Sequence, residues 1–263
     1  MEHAESESLT KNRKPLVLGL VVLSLVVLVI AGFILNQRNQ EPPIIPDPDW
    51  GFHKETDARI RTMVRNGEIF WRRTLPEQMG KNYVDVDTHV IVGGHLQLCE
   101  SSKNVVGNLF CPSNNTAAFD QNYFEDIRLK KHASGDLAEA YIVAHTIAHN
   151  IQSILDKERS LQLMRINLSG KDPAHVVLRS ELQADFYAGV WAKKEMKGLD
   201  PKKVEKAMSI VAEVTKTHQD KTGKTIILDP ITHGTLAQRV KWFMRGYKSG
   251  KIKDGDTFHA KDL

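Results

Sequence analysis

Cysteine is nearly absent: the 263 residues contain two, Cys99 and Cys111. That excludes a zinc site made of paired CxxC hooks and a fold held by several disulfides. The two flank a short polar stretch containing Asn104, Gly107 and Asn108. If this part of the chain lies outside the cytoplasm, a disulfide between Cys99 and Cys111 is expected, with two buried thiols as the alternative. Charge of one sign is also scarce. Lys and Arg total 36 against 32 Asp and Glu, a formal net charge of +4. The basic residues are scattered, with no stripe interleaved with aromatics, which make up only 7% of the chain. Nucleic acid is therefore not an expected partner.

The sequence does hold one long uncharged run. Leu16 to Leu35 is dominated by Leu, Val and Ile and is long enough to cross a bilayer as a helix. Lys11, Arg13 and Lys14 precede it closely, and only Arg38 follows closely. This asymmetry predicts a cytoplasmic tail over 1–15, a transmembrane helix over 16–35 and the bulk of the chain in the periplasm or outside the cell. A cleaved signal peptide is the competing reading. The run exceeds a usual signal core, however, and Asn36-Gln37-Arg38-Asn39 offers no small-x-small cleavage site. Residues 36–49, with Pro42, Pro43, Pro46 and Pro48, read as a stiff spacer, and 50–263 as the folded domain. The membrane is thus one expected partner.

Within 50–263 the pattern is helix-rich. Ile60, Met63, Val64, Phe70 and Trp71 recur at helical spacing over 57–73, with Gly67 as a weak point. Short strands are expected at 89–92, 96–98, 109–110 and 117–119. Helices are expected over 137–155, over 174–197 with Gly198 as its stop, from Pro201, and from about Thr235. The fold class is α+β, many helices around one small sheet.

Ala144-His145-Thr146-Ile147-Ala148-His149 sets two imidazoles one helical turn apart on the same face. That is the geometry with which HExxH enzymes grip zinc, while the Glu after the first His takes the proton of the attacking water. Eleven histidines scattered at random would give such a pair about every second time, so context decides. The second helix supplies it. Glu181 and Asp185 share a helical face; Glu181 completes a His₂Glu ligand set, and Asp185 can fix the tautomer of a ligand imidazole. The alternative for both acids is a solvated helix face near Arg179.

The stretch Ala140-Tyr141-Ile142-Val143-Ala144-His145 through Gln152 resembles the neutral zinc metallopeptidase family, whose members read approximately AYVIAHEVGHHVQ. Glu181-Leu182-Gln183-Ala184-Asp185 with Ala188-Gly189-Val190-Trp191-Ala192 is similar to that family's ELQAD-x-x-AGVWA segment. His233-Gly234-Thr235 through Phe243 resembles its HGTSEQR-x-x-WF block, and Phe110-Cys111-Pro112 and Asp256-Thr257-Phe258 also fit. The resemblance implies a zincin-like domain facing the periplasm or cell exterior. It implies Zn²⁺ held by His145, His149 and Glu181, with Asp185 behind them, and a polypeptide as substrate or ligand. His233 is implied as an oxyanion stabiliser, with a capping or surface histidine as the alternative. Arg239 is expected to brace the fold through a carboxylate.

The chain departs from the pattern at three places. Ala148 replaces a Gly and Asn150 a second His, both tolerable; Thr146 replaces the catalytic Glu. A hydroxyl does not take a proton near neutral pH, and Thr has a shorter reach than Glu. Glu139, six residues before His145, is a poor angular match for the metal-facing side. The expectation is a severely weakened or inactive peptidase. The alternatives are a pseudopeptidase that binds polypeptide or acts as a scaffold and, least favoured, a metal-free structural domain.

Overall fold

A computed structural model describes residues 53–93, 107–130, 135–169, 175–222 and 233–263 of the unit that runs from Trp50 to Leu263. The apolar run at 16–35, the spacer at 36–49, the strand expected at 96–98 and Cys99 lie outside the described residues. Among those described, no helix is long and apolar enough to cross a membrane. Cys111 is buried; its expected partner Cys99 is not among the described residues.

Helix α1 (Lys54–Met79) is longer than its periodicity suggests and runs through Pro76 to Gly80, whose φ of 64° caps it. Ile60, Val64, Trp71 and Leu75 line its buried face. Gly67, which weakens the sequence signal, is a contact: a Cβ there would stand 2.8 Å from Ile147 Cδ1. Strands β1 (Asp87–Ile91), β2 (Leu109–Cys111) and β3 (Thr116–Asp120) form one sheet in the order β1-β3-β2. β3 is parallel to β1, with Val90 opposite Phe119, and antiparallel to β2, with Phe110 opposite Ala117. The middle strand is buried along its whole length.

Helix α2 (Gln121–Lys130) starts directly from β3 and was not expected from sequence. Asp120 makes that corner, its Oδ1 accepting from the Asn122 and Gly93 amides at 3.1 Å each. Tyr123, Phe124 and Ile127 then turn inward and are fully buried.

Helix α3 (Gly135–Leu155) is the centre of the domain, touching α1, α2 and β2 as well as the later helices. From Ala138 to Ser153 it is buried on nearly every side, polar residues included. Helix α4 (Lys157–Ser169) follows after a single residue, Asp156, whose Oδ1 accepts from the Arg159 amide at 3.0 Å. Helices α5 (Val176–Glu195), α6 (Pro201–Thr222) and α7 (Leu236–Ser249) complete the set, and a 3₁₀ turn at Ile252–Asp254 leads to the C-terminal segment. The architecture is helix-rich α+β with a three-stranded sheet.

The closest packing is between α5 and α7. A Cβ at Gly189 would lie 2.0 Å from the Phe243 carbonyl oxygen, and one at Gly246 would lie 1.9 Å from that of Phe186. The two backbones touch, which only hydrogen at both positions permits. At the start of α7, Thr235 and Gln238 form a capping box: the Thr235 hydroxyl accepts from the Gln238 amide at 3.2 Å, and the Gln238 side chain accepts from the Thr235 amide at 2.9 Å. This fixes where His233, two residues earlier, enters the core.

Candidate metal centre

The spacing of His145 and His149 on α3 turns both imidazoles toward α5. Their rings lie 4.9 Å apart at 86°. Glu181 comes up from α5 between them, its Oε2 being 3.1 Å from His145 Nε2 and 3.4 Å from His149 Nε2. One ligand atom from each of the three lies within 4.8 Å of the others, the group among the described residues with metal-holding geometry. Atoms about 2.0–2.1 Å from a zinc ion at tetrahedral angles are about 3.3 Å apart, so the two imidazole-to-carboxylate spacings match tetrahedral edges. The residues present fit the ion.

Behind the first imidazole, Asp185 Oδ1 lies 2.8 Å from His145 Nδ1. Asp185 is fully buried and held in turn by Arg239, whose Nε is 3.3 Å from Oδ2, and by the Tyr141 hydroxyl, which donates to Oδ1 and accepts from Arg239 Nη2. The Arg239 guanidinium also sits 5.5 Å from the centre of the Tyr141 ring. Behind the second imidazole, His149 Nδ1 lies 2.8 Å from Gln152 Oε1. Each of these histidines thus has its far nitrogen occupied and its near nitrogen aimed at Glu181.

Electrostatics follow from this packing. Burial alone would lower the His145 pKa, but Asp185 and Glu181 on its two sides outweigh it and raise it to about 9. Burial would raise the Glu181 and Asp185 carboxyls. The surrounding His233, His149 and His145 instead hold Glu181 well below the ordinary range, and Arg239 with His145 lowers Asp185.

His233 is neither a surface residue nor a cap. It is buried, its Nε2 stands 3.0 Å from Glu181 Oε2, and the capping role belongs to Thr235. Thr146 is buried on α3 beside His145. Asn150 donates from Nδ2 to the Val84 carbonyl at 2.8 Å, tying the central helix to the segment before β1. Glu139 is engaged elsewhere, paired with Arg59 at 3.1 Å. Arg239 braces a carboxylate as expected, and that carboxylate is Asp185. The sequence motif assigns no role to Tyr141 or Gln152, although Tyr141 precedes His145 by four residues and Gln152 follows His149 by three, both spacings that share a helical face.

A family model described as "putative neutral zinc metallopeptidase" matches residues 37–258. The chain belongs to the neutral zinc metallopeptidase family. Among relatives of this family, the chain is similar to the uncharacterized protein YpfJ of Escherichia coli strain K12, 28% identical over 256 residues that cover 91% of this chain and 86% of YpfJ. It is also similar to the uncharacterized protein Rv2575 of Mycobacterium tuberculosis strain H37Rv, 37% identical over 180 residues, 63% of this chain and 59% of that one. No solved structure matches the chain. Family membership and the His145, His149 and Glu181 geometry agree on zinc as the cofactor.

Proposed function

We propose that this chain is a membrane-anchored zinc metallopeptidase-family protein whose metal site is complete but whose proton-accepting carboxylate is missing, so that hydrolysis is severely weakened. One observation carries the reading: the residue after the first ligand histidine is a buried threonine, and the carboxylates at the site already have other work. Glu181 faces three imidazoles and Asp185 is tied to His145, Arg239 and Tyr141.

Zinc, held by His145, His149 and Glu181, would supply Lewis-acid polarisation of a carbonyl oxygen. The chain's own residues do the rest. Asp185 and Gln152 orient the two imidazoles. His233, whose Nε2 stands 3.0 Å from Glu181 Oε2, would donate a hydrogen bond to a developing oxyanion once that carboxylate turns to the metal. Thr146 can offer or accept a hydrogen bond but does not relay a proton near neutral pH. The second reading, favoured by the same threonine, is a pseudopeptidase that retains polypeptide binding or a scaffold role at the cell surface. The apolar run at 16–35 and its basic N-terminal flank support the anchor and an outward-facing domain, with a Cys99–Cys111 disulfide suited to that compartment.

The test compares the full chain with Thr146→Glu for zinc content and for cleavage of unfolded protein substrates. Stoichiometric zinc in both, with hydrolysis rising about 10²–10⁴-fold in Thr146→Glu, is the expected result. Hydrolysis by the unaltered chain that Thr146→Glu does not improve would overturn the impaired-peptidase reading. Absence of zinc from both would overturn the metal site.

A further inference from the structure

The two ligand histidines are oriented by different chemistry. His145 leans on a carboxylate, which in its ionised form only accepts. His149 leans on Gln152, a side-chain amide that accepts through one end and donates through the other. Which end faces His149 decides which nitrogen of that imidazole carries the proton.

The surroundings settle the orientation. Gln152 Nε2 lies 2.8 Å from the main-chain carbonyl of Ser180, a group that can only accept. The amine end must therefore face Ser180, and the oxygen end must face His149 Nδ1 at 2.8 Å. The Ser180 hydroxyl adds a donor to that same oxygen at 3.3 Å. Gln152 Nε2 also meets Gln183 Oε1 at 3.1 Å, and Gln183 is oriented in the same way, its Nε2 donating to the Gly255 main-chain carbonyl at 2.9 Å. Two successive amides are thus each set by a carbonyl that has no proton to give. The second carbonyl belongs to the turn opening the C-terminal segment, and that segment is fastened to α5. Arg179 donates to the carbonyls of Thr257, Phe258 and Ala260, and the Thr257 hydroxyl donates to the Arg179 carbonyl.

We propose that Gln152 is the positioning residue that commits His149 to present Nε2 to the metal, its amide held in register by Ser180 and by a relay through Gln183 to the C-terminal turn at Gly255. The inference rests on the metal reading above and extends it to residues that touch no ligand. Because Gln152 accepts a proton already on Nδ1, the lone pair that remains is the one beside Glu181.

The experiment uses the full chain, Gln152→Met and Gln183→Met, each loaded with zinc. Affinity is measured by competition with a chromophoric chelator, and the hydrogen-bonded Nδ1 protons of His145 and His149 are followed by NMR. Gln152→Met is expected to weaken zinc binding about 10–100-fold. It should also lose the slowly exchanging His149 proton while that of His145 persists. Gln183→Met, which leaves Gln152 in place but unsteadied, is expected to move both readouts the same way by a smaller amount; it serves if Gln152→Met folds poorly. Unchanged affinity in both variants, or weakened affinity with the His149 proton retained, would overturn the inference. If the unaltered chain takes up no zinc, the metal reading itself fails and takes this inference with it.

Discussion

Asp185 Oδ1 lies 2.8 Å from His145 Nδ1, and the same carboxylate is the partner of the buried Arg239 guanidinium. One residue therefore orients the His145 imidazole and neutralises a cation inside the core. Asp185→Leu is expected to weaken zinc binding about 10–100-fold. It should also destabilise the metal-free chain by about 3–5 kcal/mol, because Arg239 is left as an uncompensated buried charge. Chelator competition reads the first and urea unfolding the second. Loss of affinity without loss of stability would show that Arg239 finds another counter-ion.

In the metal-free chain, folding raises the His145 pKa to about 9, against about 6.5 in an unfolded chain. A raised histidine pKa contributes stability that is fully present below about 6.5 and is lost as pH climbs through the folded value. The depressed carboxyls of Glu181 and Asp185 act oppositely. Their contribution is present above about 4 and lost on further acidification. Metal-free protein is thus expected to melt progressively lower from pH 6.5 to 9. Zinc, which replaces a proton on His145, should abolish that decline. Scanning melts against pH with and without zinc checks both; a flat metal-free profile above pH 6.5 would count against a protonated His145.

Gly189→Ala is expected to cost about 3 kcal/mol or more, since the added methyl would meet main chain rather than a movable side chain. Gly246→Ala should behave alike, and the double variant should cost less than the sum, because one separation of α5 from α7 relieves both clashes. Denaturant unfolding of the three variants supplies the cycle.

Thr235→Ala removes one half of the α7 capping box and is expected to cost about 1 kcal/mol. Because His233 enters the core just before that cap, the variant should also loosen the His233 contact with Glu181. Urea unfolding measures the cost, and exchange of the His233 ring protons measures the loosening.

Much of this was legible in the sequence because it obeys short-range periodicity. The His145, His149, Glu181 and Asp185 pattern is a statement about faces of two helices, and four-residue spacing carries it directly. Pro201 and Thr235 marked helix starts for the same local reasons. What sequence concealed depended on three-dimensional partners. Helix α2 was missed because it leaves β3 with no turn residue between, the corner being made by the Asp120 side chain. Gly67 reads as a flaw in α1 by propensity, and only Ile147, packed where its side chain would stand, accounts for it. For His233 the sequence leaves an oxyanion role open against a capping or surface histidine, and only its approach to Glu181 from a distant part of the chain excludes the last two. Gln152 had the right spacing, but an amide gives no hint of which end it turns to its neighbour.

The glycine contact between α5 and α7 has a consequence for how this chain can vary. With no cushion of side chains at the crossing, a change there cannot be absorbed locally. It shifts the axis of α5, and with it both acids that serve the site. The positions least free to drift thus include two that perform no chemistry and guard the spacing of others that do.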